Sequence, residues 1–168
     1  MSELRVTIDR VRAHLEANPA DGEAEDVPVR VSRAGPLSFA ATDANGRTVT
    51  TDMPPGIGGG GAGMTPGTLL RAGLGSCGAG AIALTAAAWG IELSRLEVDV
   101  ASRSDDRGVL GIDGVAPEPL EVRITYHLAS PDATDDQLRE LVAEAERRSP
   151  VGQAVRQRVV VSTQVELT

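Results

Sequence analysis

The sequence predicts an α+β domain in which antiparallel sheets pack around a buried central helix. Three observations carry that prediction. Residues 65–90, TPGTLLRAGLGSCGAGAIALTAAAWG, form a long, glycine-rich stretch with no polar face, the pattern of a helix enclosed by other structure. Runs of strict period-two alternation lie on both sides of it, as in half-buried strands. Gly35-Pro36 and Asn45-Gly46 fall between neighbouring runs and signal tight turns, so the first strands form an antiparallel meander.

Residues 3–17 place Leu4, Ile8, Val11 and Leu15 on one stripe, which predicts an amphipathic helix ending at Asn18-Pro19. The acidic run ADGEAEDVP at 20–28 lacks periodicity and reads as a linker. The domain division that follows is a helix and linker over 1–26 and a main domain over 27–168. VPVRVSR, LSFAATD and RTVTTD are the meander strands, and MPPGIGGGGAG at 53–63 reads as a flexible loop leading into the central helix. Thr65 is placed to cap that helix and Pro66 to open it, because proline at the first helical position loses no hydrogen bond. The residues that follow are apolar or small, Cys77 among them. The five glycines 67, 73, 75, 78 and 80 each cost about 1 kcal/mol against alanine, so the helix needs close packing to persist.

Alternation resumes from Arg95 to Arg103, a loop is expected over 104–119, and Leu120, Val122, Ile124, Tyr126 and Leu128 define another strand. Thr134 and Gln137 match a capping box ahead of an amphipathic helix. Ser149-Pro150 restarts the helix as cap and first residue, and 159–167 alternates as a last strand.

Composition narrows the function. The 168 residues suffice for one core without disulfides or metal. Aromatic residues make up 2% of the chain and the formal charge is −8, which opposes base stacking and phosphate neutralisation, so no nucleic-acid partner is expected. The chain holds no lysine, which excludes a P-loop and a Schiff base. One cysteine and two distant histidines, His14 and His127, give no metal-ligand spacing, and neither a metal nor a cofactor is expected. The longest apolar stretch is broken by glycines and is expected to fall short of a membrane span; a cytoplasmic protein without a membrane partner is the expectation.

Cys77 is the candidate for chemistry, and a small hydrophobic packing residue is the plainer role for a free cysteine. It lies too far along its helix to feel the N-terminal dipole, so a reactive thiolate needs a nearby arginine. Arg33 and Arg47, both in the meander, are the candidates; solvated strand and turn arginines are the plainer reading of each. Gly56 to Gly61 spells G-x-G-x-x-G, but two prolines precede it and no acidic residue follows at the ribose distance, so the segment reads as a connector. His127 has strand parity opposite to Tyr126, facing water or a partner chain.

The order of elements, the TPGTLLRAGLGSC stretch at 65–77 and SPVGQAV at 149–155 resemble the OsmC/Ohr family of thiol-dependent hydroperoxide reductases over roughly residues 28–167. The resemblance implies an intertwined homodimer with central helices between sheets and sites built by both chains. It implies that Cys77 attacks the peroxide and that an early-strand arginine, for which Arg33 is the better match, stabilises the thiolate. The family's glutamate near the helix start is Gly67 here, and its resolving cysteine is Ser149. Serine forms no disulfide, so an external thiol would have to reduce the Cys77 sulfenic acid, and the capping role explains Ser149 without chemistry. The expected function is a one-cysteine peroxidase acting on organic hydroperoxides in the oxidative stress response; the alternative is a non-catalytic dimer of the same fold that binds a small apolar ligand near Cys77.

Overall fold

The computed structural model describes residues 3–157 together with Val161, Thr163 and Gln164. Among the described residues five helices and five strands follow one another, all but the short third helix being elements the sequence predicts. Helix α1 (Glu3–Ala17) leads through a short turn into β1 (Arg30–Arg33), β2 (Ser38–Thr42) and β3 (Thr48–Asp52). The central helix α2 (Pro66–Trp89) precedes β4 (Arg95–Arg103), a short α3 (Asp106–Val109) and β5 (Glu121–Ala129). Helices α4 (Asp135–Arg147) and α5 (Pro150–Arg156) complete the series. Most of the strand expected at 159–167 lies outside the described residues. The expected loop at 104–119 contains α3, which Asp105 caps through the Arg107 amide.

The strands form two antiparallel sheets, β1-β2-β3 and β4-β5. Asn45-Gly46 makes the β2–β3 turn, with Gly46 at φ 78° and the Asp43 carboxylate accepting from the amides of Asn45 and Arg47. On the second sheet Leu96, Val98 and Val100 sit opposite Leu128, Tyr126 and Ile124, giving one apolar face. That face receives α2, and α4 packs beside it. Ala81, Ile82 and Ala86 of α2 meet Leu141 and Ala145 of α4 in the core, where Ile82 and Leu141 are fully buried. Tyr126, Leu128, Leu138 and Val142 surround them, so aliphatic and alanine side chains build the core as composition requires.

Local capping follows the residue types. Thr65 accepts from the Thr68 amide, Thr134 and Gln137 form a reciprocal capping box, and Ser149 accepts from the Gly152 amide. Gly90 closes α2 in the left-handed conformation at φ 72°.

Three expectations are corrected. Burial of α2 is one-sided in the single chain: Leu74, Gly75, Gly78, Ala81, Ile82, Thr85 and Ala86 are buried, while Leu70, Leu84 and Trp89 are exposed. At 24 residues α2 is long and apolar enough to cross a membrane, although its packing on a sheet and three helices is that of a core helix. The 53–63 segment is organised rather than a flexible connector. The buried Asp52 carboxylate accepts from the amides of Met53, Gly60 and Ala62, and folds the glycine loop around itself. A side chain at Gly59 or Gly63 would collide with the carbonyls of Met53 or Thr50, so these glycines serve close backbone approach.

Candidate functional site

Cys77 lies near the middle of α2 and is half-buried. The turn that separates α4 from α5 delivers Ser149 to it: the Ser149 hydroxyl donates to Cys77 Sγ at 3.2 Å and accepts from the Gly152 amide at 3.2 Å. Ser149 is only 2% exposed, so this contact is shielded from water. The cap expected from Ser149-Pro150 is present, and the same oxygen touches the sulfur, a role the sequence reading did not give it. A hydroxyl donor interacts more strongly with an anionic sulfur than with a neutral one.

A second group of polar side chains lies alongside. Tyr126 from β5 donates through its hydroxyl to Glu146 Oε1 of α4 at 3.3 Å, and Arg156 of α5 donates to the same oxygen at 2.8 Å. The hydroxyl of Tyr126 reaches α2 because residue 78 is glycine; a Cβ there would stand 3.0 Å from that oxygen. Burial pushes the Tyr126 pKa up to about 12, and the Glu146 carboxylate and the neighbouring Cys77 add to the rise. The phenol is therefore a fixed neutral donor beside the thiol. Sequence reasoning missed this triad because its members come from three elements, and only the inward parity of Tyr126 pointed toward it.

Cys77 also borders an open, largely apolar groove of about 1010 Å³ between α1 and α2. Ile8, Val11 and Leu15 line it from α1, and Gly80, Leu84 and Ala88 from α2. The predicted stripe of α1 thus faces α2, yet no residue of α1 is buried.

The meander arginines lie elsewhere in the single chain. Arg33 ends β1 and donates to the carbonyls of Gly35 at 2.9 Å and Pro36 at 3.2 Å. Arg47 pairs with Asp43 at 2.6 Å in the hairpin turn. Their sheet makes no extended contact with α2, which packs on β4, α1, α4 and α5. At the helix start Gly67 borders a small cleft with Arg71, whose guanidinium donates to Ser102 Oγ at 2.9 Å and Thr68 Oγ1 at 3.0 Å. His127 pairs with Asp99 at 2.9 Å on the outer face of the second sheet. Among the described residues no group of three or more His, Cys, Asp or Glu side chains is gathered as a metal site would require.

Comparison with curated proteins finds no match. Among solved structures the fold is similar to that of an OsmC-like protein from Mycoplasma pneumoniae, with a TM-score of 0.68 at 18% identity over 81% of this chain and 91% of that one. An OsmC organic hydroperoxide resistance protein from Legionella pneumophila gives a TM-score of 0.61 at 18% identity, covering 80% and 91% of the two chains. The organic hydroperoxide resistance protein OhrB of Bacillus subtilis gives 0.53 at 24% identity, covering 78% and 92%. The family model described as OsmC-like protein matches residues 58–164, which span α2, the second sheet, α4 and α5, and by that match the chain belongs to the OsmC-like protein family.

Proposed function

We propose that the protein is a cytoplasmic, homodimeric one-cysteine peroxidase that reduces organic hydroperoxides as part of the oxidative stress response. The observation that carries this reading is the Ser149 hydroxyl on Cys77 Sγ at the edge of an apolar groove, which joins a hydroxyl donor on the sulfur to a space for a carbon chain. The Cys77 thiolate attacks the terminal peroxide oxygen. The O–O bond breaks, sulfur loses two electrons, and the alkoxide takes a proton to leave as an alcohol. Cys77 is then a sulfenic acid. Ser149 offers no thiol, so an external thiol attacks that sulfur and releases water, and a second thiol exchanges with the mixed disulfide to restore Cys77. No bound cofactor or metal enters this scheme.

Arg33 is the proposed thiolate partner, supplied by a second chain. Support comes from the first sheet: β1 is exposed along its whole length, Val27, Val29 and Val31 face solvent, and among the described residues no helix makes extended contact with the sheet. A sheet buries a face against another layer, and a second copy provides one. Arg47, tied to Asp43, is the poorer candidate. The domain division at residue 26 is part of this proposal, with α1 and the acidic linker as an appendage to the family domain.

A second reading rests on Gly67 and Ser149, which stand where the family's glutamate and resolving cysteine are expected: a dimer that binds a small apolar ligand without turnover. One experiment separates the two. Reduced protein is mixed with an alkyl hydroperoxide, and sulfenic acid at Cys77 is trapped with a dione and located by mass spectrometry. The peroxidase reading expects an adduct at Cys77, loss of peroxide consumption in Cys77→Ala, and a slower reaction in Arg33→Ala. No adduct, or equal consumption by Cys77→Ala, leaves the binding reading.

A further inference from the structure

The charged side chains around Cys77 do not cancel. On the α1 wall of the groove Arg12 pairs with Glu16 at 3.7 Å, one charge against one. On the other side Glu146 pairs with Arg156 at 2.8 Å. A Cβ at Gly152 would lie 2.9 Å from Ser149 Oγ and 3.1 Å from the Arg156 guanidinium, so this pair stands beside the Ser149 turn. Tyr126, which shares Glu146, has its pKa pushed up to about 12 and stays neutral. The end of α4 breaks the one-to-one pattern. Arg147 and Arg148 both bond the Glu144 carboxylate, one on each oxygen, so two guanidinium charges meet a single carboxylate. Among the described residues, the groups flanking Cys77 therefore carry a net positive charge, in a chain whose formal charge is −8.

Position gives that charge access to the sulfur. Arg148 immediately precedes Ser149, whose hydroxyl lies 3.2 Å from Cys77 Sγ, and the Arg148 side chain borders the same open groove as Cys77. Arg148 is exposed, and one carboxylate oxygen occupies only part of its fork of donors. A guanidinium does not lose its proton in a protein, so the charge is permanent. A fixed charge at the mouth of a groove raises the local concentration of reactants of opposite sign.

We propose that Arg148 is a specificity-determining residue for Cys77, its unbalanced charge drawing anionic reaction partners to the sulfur, with Glu144 as the side chain that positions it and limits its field. The proposal rests on the peroxidase reading for its place in the cycle. There the external thiol attacks the Cys77 sulfenic acid as a thiolate, so Arg148 serves the reducing half of the reaction. Ser149 supplies no thiol within the chain, and recruitment of an anion from solution takes that place.

Two alkylating reagents read the charge without any peroxide. The Cys77 thiolate displaces iodide from iodoacetate, an anion, and from iodoacetamide, which is neutral. The ratio of the two rates cancels the thiolate fraction and reports the field at the sulfur. In the full chain Arg148→Gln should lower the iodoacetate-to-iodoacetamide ratio about fivefold, and Arg148→Glu should lower it further. Arg148→Lys keeps the charge and should keep the ratio. Glu144→Gln leaves both guanidinium charges unopposed and should raise the ratio about fivefold. Arg148→Gln and Glu144→Gln break the same ion pair, so damage to the α4–α5 turn would move the ratio one way, whereas charge moves it in opposite ways. Arg148 is exposed, so its three variants fold even if Glu144→Gln does not, and circular dichroism checks each. A ratio untouched by Arg148→Gln, a ratio lost equally in Arg148→Lys, or shifts of the same sign in Arg148→Gln and Glu144→Gln would overturn the proposal. Trapped sulfenic acid at Cys77 with a ratio indifferent to Arg148 would leave the peroxidase reading standing and remove only the role of Arg148. A ratio that follows the charges in a protein that forms no sulfenic acid would do the reverse.

Discussion

Ser149 and Cys77 stand 72 positions apart in the chain, and a hydroxyl-to-sulfur hydrogen bond of 3.2 Å joins them. If that donor favours the ionised sulfur, Ser149→Ala should slow alkylation of Cys77 by iodoacetamide at neutral pH by roughly tenfold, the equivalent of about 1.4 kcal/mol. Ser149→Thr keeps the hydroxyl and should restore most of the rate. Equal rates in all three proteins would mean that the bond does no more than cap α5.

Ser149→Cys asks a geometric question at the same pair. The cap holds Oγ within reach of Sγ, so the introduced thiol should close a disulfide with Cys77 under mild oxidant, seen as the loss of two free thiols per chain. Persistence of both thiols would show that the α4–α5 turn holds the sulfur atoms too far apart or misaligned.

Tyr126 is the only tyrosine, so absorbance at 295 nm follows one group. Burial first, then the Glu146 carboxylate, raises its pKa to about 12, and phenolate should appear near there rather than near 10. Glu146→Gln should move the midpoint down. The folded state holds this proton more tightly than the unfolded chain, so the group's contribution to stability is whole below pH 10 and is lost as pH rises toward 12. Tyr126→Phe should remove that part of the alkaline destabilisation.

The glycines of α2 divide by what surrounds them. A Cβ at Gly78 would meet the Tyr126 ring and hydroxyl, and one at Gly75 would stand 3.1 Å from Val100, whereas one at Gly73 would meet nothing within 4 Å. Gly78→Ala should therefore lower the unfolding midpoint by displacing Tyr126 from the helix. Gly73→Ala should stabilise by about 1 kcal/mol through helix propensity alone. Destabilisation by Gly73→Ala would indicate that a second chain approaches the helix there.

What the sequence revealed follows the range of the interactions involved. Caps at Thr65, Thr134 and Ser149, the Asn45-Gly46 turn and the alternation of β4 and β5 are set by residues within a few positions of one another, and each was legible. The apolar character of α2 showed that it is hidden from water without showing which chain hides each side. The Ser149 contact and the Tyr126–Glu146–Arg156 group need tertiary packing to exist, and no spacing rule marks them. Cys77 stood out because it is the sole thiol. Arg33 was preferred over Arg47 through family resemblance, and the single chain leaves it at the end of an exposed edge strand.

Asp52 is a long-range organiser of the same kind, unmarked in the sequence. Its buried carboxylate accepts from amides one, eight and ten residues further on, and the segment so gathered leads directly into α2. Asp52→Ala leaves those amides without their acceptor and should destabilise by about 3 kcal/mol, since hydrogen bonds to charged groups are worth about 1.5–3 kcal/mol each and part of the loss is recovered from water. Asp52→Asn keeps one carbonyl oxygen and should cost less. Hydrogen exchange at Gly60 and Ala62 should accelerate in both variants while the amides of α4 stay protected. Unchanged exchange at those two positions would show that the glycine loop holds its shape without the carboxylate.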